Sequence, residues 1–226
     1  MSVQRHKIPT VLGEAAALLH RQYRARGIVG AEPGELHHSR WLTYGPDSVL
    51  FEFTRSTPDP QTLKPSDPNT PTIAGAMAAI GDSPRGLPLD EVYPAQLATL
   101  RAHKLRLVEL GYFATDGLER PELETLLLDV TDYLWHMDYD LAICGIHPRR
   151  EFLYHRYLGM TRLALPTVFP DSQIPVILLG LTAHQGSKGT LVQKYLTQHP
   201  AAAAWLAAHP PIQIPDLNPH SKELRT

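Results

Sequence analysis

The chain of 226 residues contains one cysteine, Cys144, so it can form no internal disulfide, and nothing in it asks for an oxidising compartment. Long apolar runs are missing too. The longest, residues 176–181 and 201–208, are far too short to cross a bilayer. The opening MSVQRHKIPT has no apolar centre of the kind a secretory signal needs, so a cytoplasmic chain with no membrane span is expected. Charge of one sign is lacking as well: 21 Lys and Arg against 23 Asp and Glu leave −2, which gives no global reason for nucleic-acid binding. Twelve histidines include the pair His37–His38 but no H-x-x-x-H or H-E-x-x-H spacing, so no metal is expected.

What the chain does have is proline, 21 residues of it, concentrated over residues 58–71 and 200–219. Those stretches read as loops or extended connectors, because proline fixes φ and lacks a donor. Thr10 is placed to cap a helix over residues 11–26 that stops at Gly27. Residues 47–55 and 72–80 read as strands, residues 81–86 as a turn, and residues 94–104 as a short helix opened by proline. Residues 105–115 read as a central strand, with Leu105, Leu107, Glu109, Gly111 and Phe113 on one face and an apolar second face. Pro121 opens a helix with Leu123, Leu126, Leu127, Val130, Leu134 and Met137 on one stripe. A buried strand over residues 139–146, a helix over 149–158 closed by Gly159, and strands over 161–165 and 174–182 complete an α/β layout with a mixed sheet. Beyond Gly186 the sequence offers helices at 191–198 and 201–208, so residues 1–185 are expected to form the domain and 186–226 a C-terminal helical extension.

Three segments carry a resemblance. ICGIHPRREFLYHRYLGM (143–160), GLPLDEVYPAQLATLR (86–101) and LVELGYFAT (107–115) resemble, in the same order, stretches of the N-acyl amino acid synthases, GNAT-like acyltransferases related to the acyl-homoserine-lactone autoinducer synthases. The resemblance implies a GNAT-like fold, a mixed central sheet flanked by helices, and transfer of a long-chain acyl group to the amine of an amino acid. His147 and Arg150 stand where the family often has Asn and His, and Gly111–Tyr112 replace the Ser-Arg pair of the lactone synthases. The segment DGLERPE after Thr115 lacks the glycine-rich loop with which many acetyl-CoA-dependent GNAT enzymes cradle pyrophosphate. The implied donor is therefore the phosphopantetheine thioester of acyl carrier protein, with acyl-CoA as the alternative, and no tightly bound cofactor.

Acyl transfer from a thioester to an amine needs a base for the amine and an acid for the departing thiolate. Glu109 interrupts an apolar face, where desolvation raises a carboxyl pKa, and it matches the family's strand glutamate; it reads either as general base or as the partner of Arg106 or Arg162. Tyr154 aligns with the family tyrosine that protonates the leaving group, although an aromatic on a short helix also serves for packing, and Tyr157 competes with it. His147, at the end of a strand, could orient the acceptor or assist proton transfer; capping the following loop is the reading its position favours. Cys144 lies in an apolar run and reads as core.

Phe113, Leu126, Leu127, Val130, Leu134 and Leu178 could line an acyl channel or form an ordinary core, and the Ala-rich segment 201–208 with Trp205 could lie over such a channel as a lid or dock to a second subunit. Two basic groups, Arg101, Lys104 and Arg106 and then Arg149, Arg150 and Arg156, could dock an acidic carrier protein or simply be solvated faces. The rival functions are an autoinducer-type lactone synthase, an acyl-CoA-dependent N-acetyltransferase, and a non-catalytic module that binds an acyl carrier or another protein.

Overall fold

The computed structural model describes residues 2–7, 13–25, 27, 48–55, 72–170 and 173–217. Thr10 as helix cap, the loop at 58–71 and the end of the proline-rich tail lie outside the described residues. In chain order the elements are β1 (Ser2–Lys7), α1 (Gly13–Ala25), β2 (Val49–Arg55), β3 (Thr72–Gly81), a 3-10 turn (Pro88–Glu91), α2 (Pro94–Ala102), β4 (Leu107–Thr115) and α3 (Arg120–His136). They continue with β5 (Leu141–Ile146), a 3-10 turn (Pro148–Arg150), α4 (Glu151–Leu158), β6 (Thr161–Arg162), β7 (Thr167–Val168) and β8 (Pro175–Leu181). Three helices close the chain: α5 (Ala183–Gly186), α6 (Thr190–Gln198) and α7 (Pro200–Ala208). The architecture is mixed α/β with a largely antiparallel sheet and C-terminal helices, as the sequence pattern predicts. Among the described residues no helix is long and apolar enough to cross a membrane.

The chain falls into two compact units, Met1–Ile80 with Gly111–Val130, and Gly81–Leu110 with Thr131–Thr226. In the first unit the strand order is β1-β2-β3-β4, and β1–β2 and β2–β3 are antiparallel. Phe53 stands opposite Gly75, where a Cβ would come within 2.7 Å of Leu118 Cδ1 and 3.3 Å of Leu126 Cδ2. The first half of α3 therefore lies directly on this face, and only glycine leaves room for it. On α1 the helical spacing of Ala15, Leu18 and Leu19 yields the buried stripe, and Gly27 at φ +69° ends the segment. Strand β2 is buried on both faces rather than alternating.

In the second unit the order is β4-β5-β8-β6, with β7 also on β8. Leu107, Val108 and Glu109 pair in parallel with Leu141, Ala142 and Ile143; β5 then runs on to Ile146, held from the other side by β8. Strand β4 changes character beyond that point, because Tyr112 adopts φ +51° and breaks the simple alternation. The core is Leu97, Leu100, Leu107, Val108, Ile143 and residues 176–179, all buried, each large aliphatic contributing about 1.5–3 kcal/mol. Gly159 closes α4 in the left-handed conformation (φ +73°). A Cβ there would collide with the Gln185 carbonyl and come within 3.0 Å of Gly189 N, so the two glycines bring the end of α4 and the approach to α6 together backbone against backbone.

Candidate active site

Glu109 sits in the parallel ladder, in register with Ile143. Side chains in register share a face, so its carboxyl points with Ile143 and Gly145, away from the face of Ala142 and Cys144. On that face Gly145 makes room for Leu89: a Cβ at 145 would come within 2.6 Å of Leu89 Cδ2. Leu89 belongs to the Pro88–Glu91 turn, and its N–H, one of the donors a turn start leaves unused, donates to Glu109 Oε2 at 2.9 Å. Glu109 is 5% exposed. Burial pushes its carboxyl up to about 8; the Leu89 N–H pulls the other way and the nearby Asp90 charge adds to the rise. The two arginines that could have neutralised it are engaged elsewhere, Arg106 with Asp138 at 2.8 Å and Arg162 with Glu151.

The turn itself is anchored. Asp90 Oδ2 accepts Leu87 N–H at 2.6 Å, and Arg101 on α2 bonds Asp90 twice (2.6 and 2.7 Å) and Asp82 twice (2.7 and 2.8 Å). Gly86 at φ +80° allows the tight approach to the Asp90 carboxylate. With both edges of its guanidinium occupied, Arg101 presents little to a docking partner.

Tyr154 lies half-buried on α4. Met160, just past this helix, donates its N–H to the Tyr154 carbonyl (3.4 Å), and its sulfur lies 3.5 Å from Cys144 Sγ. The end of the Tyr154 helix thus meets β5 one strand away from Glu109, on the Cys144 face. Burial first, and the Glu109 charge second, push the Cys144 thiol up, so it stays protonated and is no nucleophile. His147 caps the Pro148–Arg150 turn: its Nδ1 accepts Arg149 N–H at 3.2 Å.

Of the candidate channel residues, Leu126 and Val130 are buried and Phe113 and Leu127 half-buried in the first unit, while Leu178 is buried in the second, in register with Gly145. The second unit holds a cavity of about 150 Å³, lined by Leu134, Trp135, Tyr139, Ala142, Leu181, Val192 and Trp205 among others; of the channel candidates Leu134 alone lines it. Among the basic candidates Lys104, Arg106, Arg149, Arg150 and Arg156 are exposed, and Arg156 lies over the Tyr157 ring at 6.0 Å. Beside them on α4 Phe152 is 66% exposed and Leu153 43%. No three His, Cys, Asp or Glu side chains among the described residues gather in a metal-holding group.

Residues 14–182 match the family model described as N-acyl amino acid synthase FeeM. The chain belongs to this family. It is accordingly an acyltransferase. The solved structure of FeeM, an N-acyl amino acid synthase from uncultured soil microbes, superposes with a TM-score of 0.64 at 21% identity, covering 82% of this chain and 99% of that one. TofI in its apo form gives a TM-score of 0.56 at 14% identity, over 89% of this chain and 99% of that one. TofI in a ternary complex with an inhibitor and MTA gives the same score and identity. No curated protein sequence matches the chain. The FeeM-family match ends at residue 182, so Ala183, Gly186, Val192 and Trp205 bring to the cavity a wall from outside the matched segment. Sequence reasoning named Leu134 and Trp205 of the cavity wall but missed the rest of that wall and the anchored turn. The turn left one signal, the acid at Asp90 three residues after Leu87, where a carboxylate can reach back to a turn's first N–H.

Proposed function

We propose that this FeeM-family chain moves a long-chain acyl group from acyl carrier protein to the amine of an amino acid. The observation that carries the reading is Glu109: a buried carboxyl with a raised pKa, held by one backbone N–H at the last rung of the β4–β5 ladder. Once ionised, as pH approaches 8, such a group can accept a proton from the attacking ammonium, and attack of the freed amine on the thioester carbonyl then expels thiolate. Tyr154, on the helix that meets β5 from the other face, is the proposed acid for that thiolate. The three residues by which β5 outruns its ladder with β4 offer a strand edge, the kind of surface that pairs with the amides of an extended pantetheine arm.

A carrier-protein donor is supported by the start of α3. Where a glycine-rich loop would present N–H groups to a pyrophosphate, Glu122 already accepts Glu119 N–H at 2.8 Å and pairs with Arg55, which also bonds the Gly117 carbonyl at 2.6 Å. Asp116 and Glu119 add further negative charge. An anion would meet carboxylates there. Carrier protein needs no such site, and Arg149, Arg150 and Arg156 beside exposed Phe152 suit an acidic partner with an apolar patch.

The test is direct: incubate the purified chain with lauroyl carrier protein or lauroyl-CoA and an amino acid mixture, and identify products by mass spectrometry. N-lauroyl amino acid formed from the carrier thioester, and lost in Glu109→Gln, is the expected result. Turnover surviving in Glu109→Gln removes the proposed base, and a preference for lauroyl-CoA removes the proposed donor.

A further inference from the structure

Three charged residues of one stretch, Asp82, Asp90 and Arg101, meet at the turn whose Leu89 N–H reaches Glu109. Asp82 follows β3 and ties itself to the start of β4, its N–H donating to the Leu107 carbonyl at 3.1 Å. Asp90 sits in the turn next to the residue whose N–H meets Glu109, and it caps that turn through Leu87. Arg101, on α2, holds both carboxylates in a pair of two-pronged bonds. Paired bidentate contacts of this kind fix geometry as well as charge, and a lysine's single ammonium cannot make both. Of the charged groups near Glu109, Asp90 is the acid that disfavours its ionised form, and the Cys144 thiol on β5 is neutral.

We propose that Arg101 is a positioning residue for the reaction: by gripping Asp82 and Asp90 it fixes the turn that presents the Leu89 N–H to Glu109, and it offsets the Asp90 charge beside that carboxyl. The inference rests on the reading of Glu109 as the base. Arg101 acts through other residues and touches no substrate. Its sequence neighbours Lys104 and Arg106 are exposed, whereas Arg101 is spent on the clamp.

The charges make the test specific. Without Arg101 the Asp90 carboxylate is no longer offset, so Glu109 ionises less readily. With Asp90 made neutral, it ionises more readily. The experiment measures kcat/KM against pH with lauroyl carrier protein and a fixed amino acid for wild type, Arg101→Met, Arg101→Lys and Asp90→Asn. The acceptor amine titrates identically in all four, so differences between profiles belong to the enzyme. The acid limb should move up by on the order of one pH unit in Arg101→Met, part of the way in Arg101→Lys, and down in Asp90→Asn. A purely structural clamp would lower melting temperature and yield without shifting the limb in opposite directions. If Arg101→Met does not fold, Arg101→Lys and Asp90→Asn decide alone. Limbs that coincide with wild type, or that move the same way, overturn the proposal. Glu109→Gln is run in parallel: if it keeps wild-type turnover, the base assignment fails, and if it is inactive while the other limbs stay put, only the clamp fails.

Discussion

The backbone N–H of Leu89 donates to the carboxyl of Glu109 across 20 residues of chain, inside the second unit. One hydrogen bond is too little to offset the burial of a charge, so the carboxyl holds its proton up to about 8. The folded protein therefore binds that proton more tightly than the unfolded chain does. The stability it contributes is complete below the ordinary carboxyl pKa of 4.5 and is lost as pH rises towards about 8. Glu109→Gln cannot ionise, so it should gain stability on wild type from pH ~5 to pH ~9, by on the order of a few kcal/mol, since each tenfold difference in proton affinity is worth about 1.4 kcal/mol. Thermal melts across that range check this; a constant gap would place the carboxyl in water.

Tyr154→Phe removes the proposed acid and leaves the ring. It should lower kcat with lauroyl carrier protein by on the order of 10²-fold with little change in KM. A donor carrying a more acidic thiol needs no proton at departure, so the loss should shrink with an aryl thioester. Steady-state rates with both donors give the answer, and equal losses would make Tyr154 a packing residue.

Reversing Arg149 and Arg150 to Glu should raise KM for lauroyl carrier protein about tenfold or more, and the penalty should fade with added salt. A lauroyl-pantetheine thioester without its protein should be turned over as by wild type. Equal effects on both donors would place these arginines at the chemistry instead of at a docking surface.

In the first unit Arg55 holds the Glu122 carboxyl down at about 2. That pair stabilises the fold above the ordinary carboxyl pKa and is lost as pH falls towards 2. Glu122→Gln should melt several degrees below wild type near neutrality, with the difference closing in acid. Melting curves at pH ~7 and pH ~3 make the comparison.

Much of this is legible in the chain. Strands and helices with a strong apolar period, such as α3, β5 and β8, stand close to where periodicity puts them, because their burial is what creates the period. Glu109 is visible as a charge inside an apolar run. Strand β1 is not, since SVQRHK is a polar strand held by its pairing with β2. Alternation along β4 predicts Glu109 and Phe113 on one face, but the positive φ of Tyr112 intervenes, a backbone event that no side-chain pattern announces. The clamp is hidden for another reason. Arg101 reads as one of a run of surface cations, and only the fold brings Asp82 and Asp90 to it.

Gly159 and Gly189 meet with no side chain between them, so the helix bearing Tyr154 has no soft layer on which to slide. Residues past the family match thus back the end of the helix that carries the proposed acid. A chain trimmed at residue 182 would keep Tyr154 and lose the backbone of Gln185 and Gly189 against which the end of its helix rests.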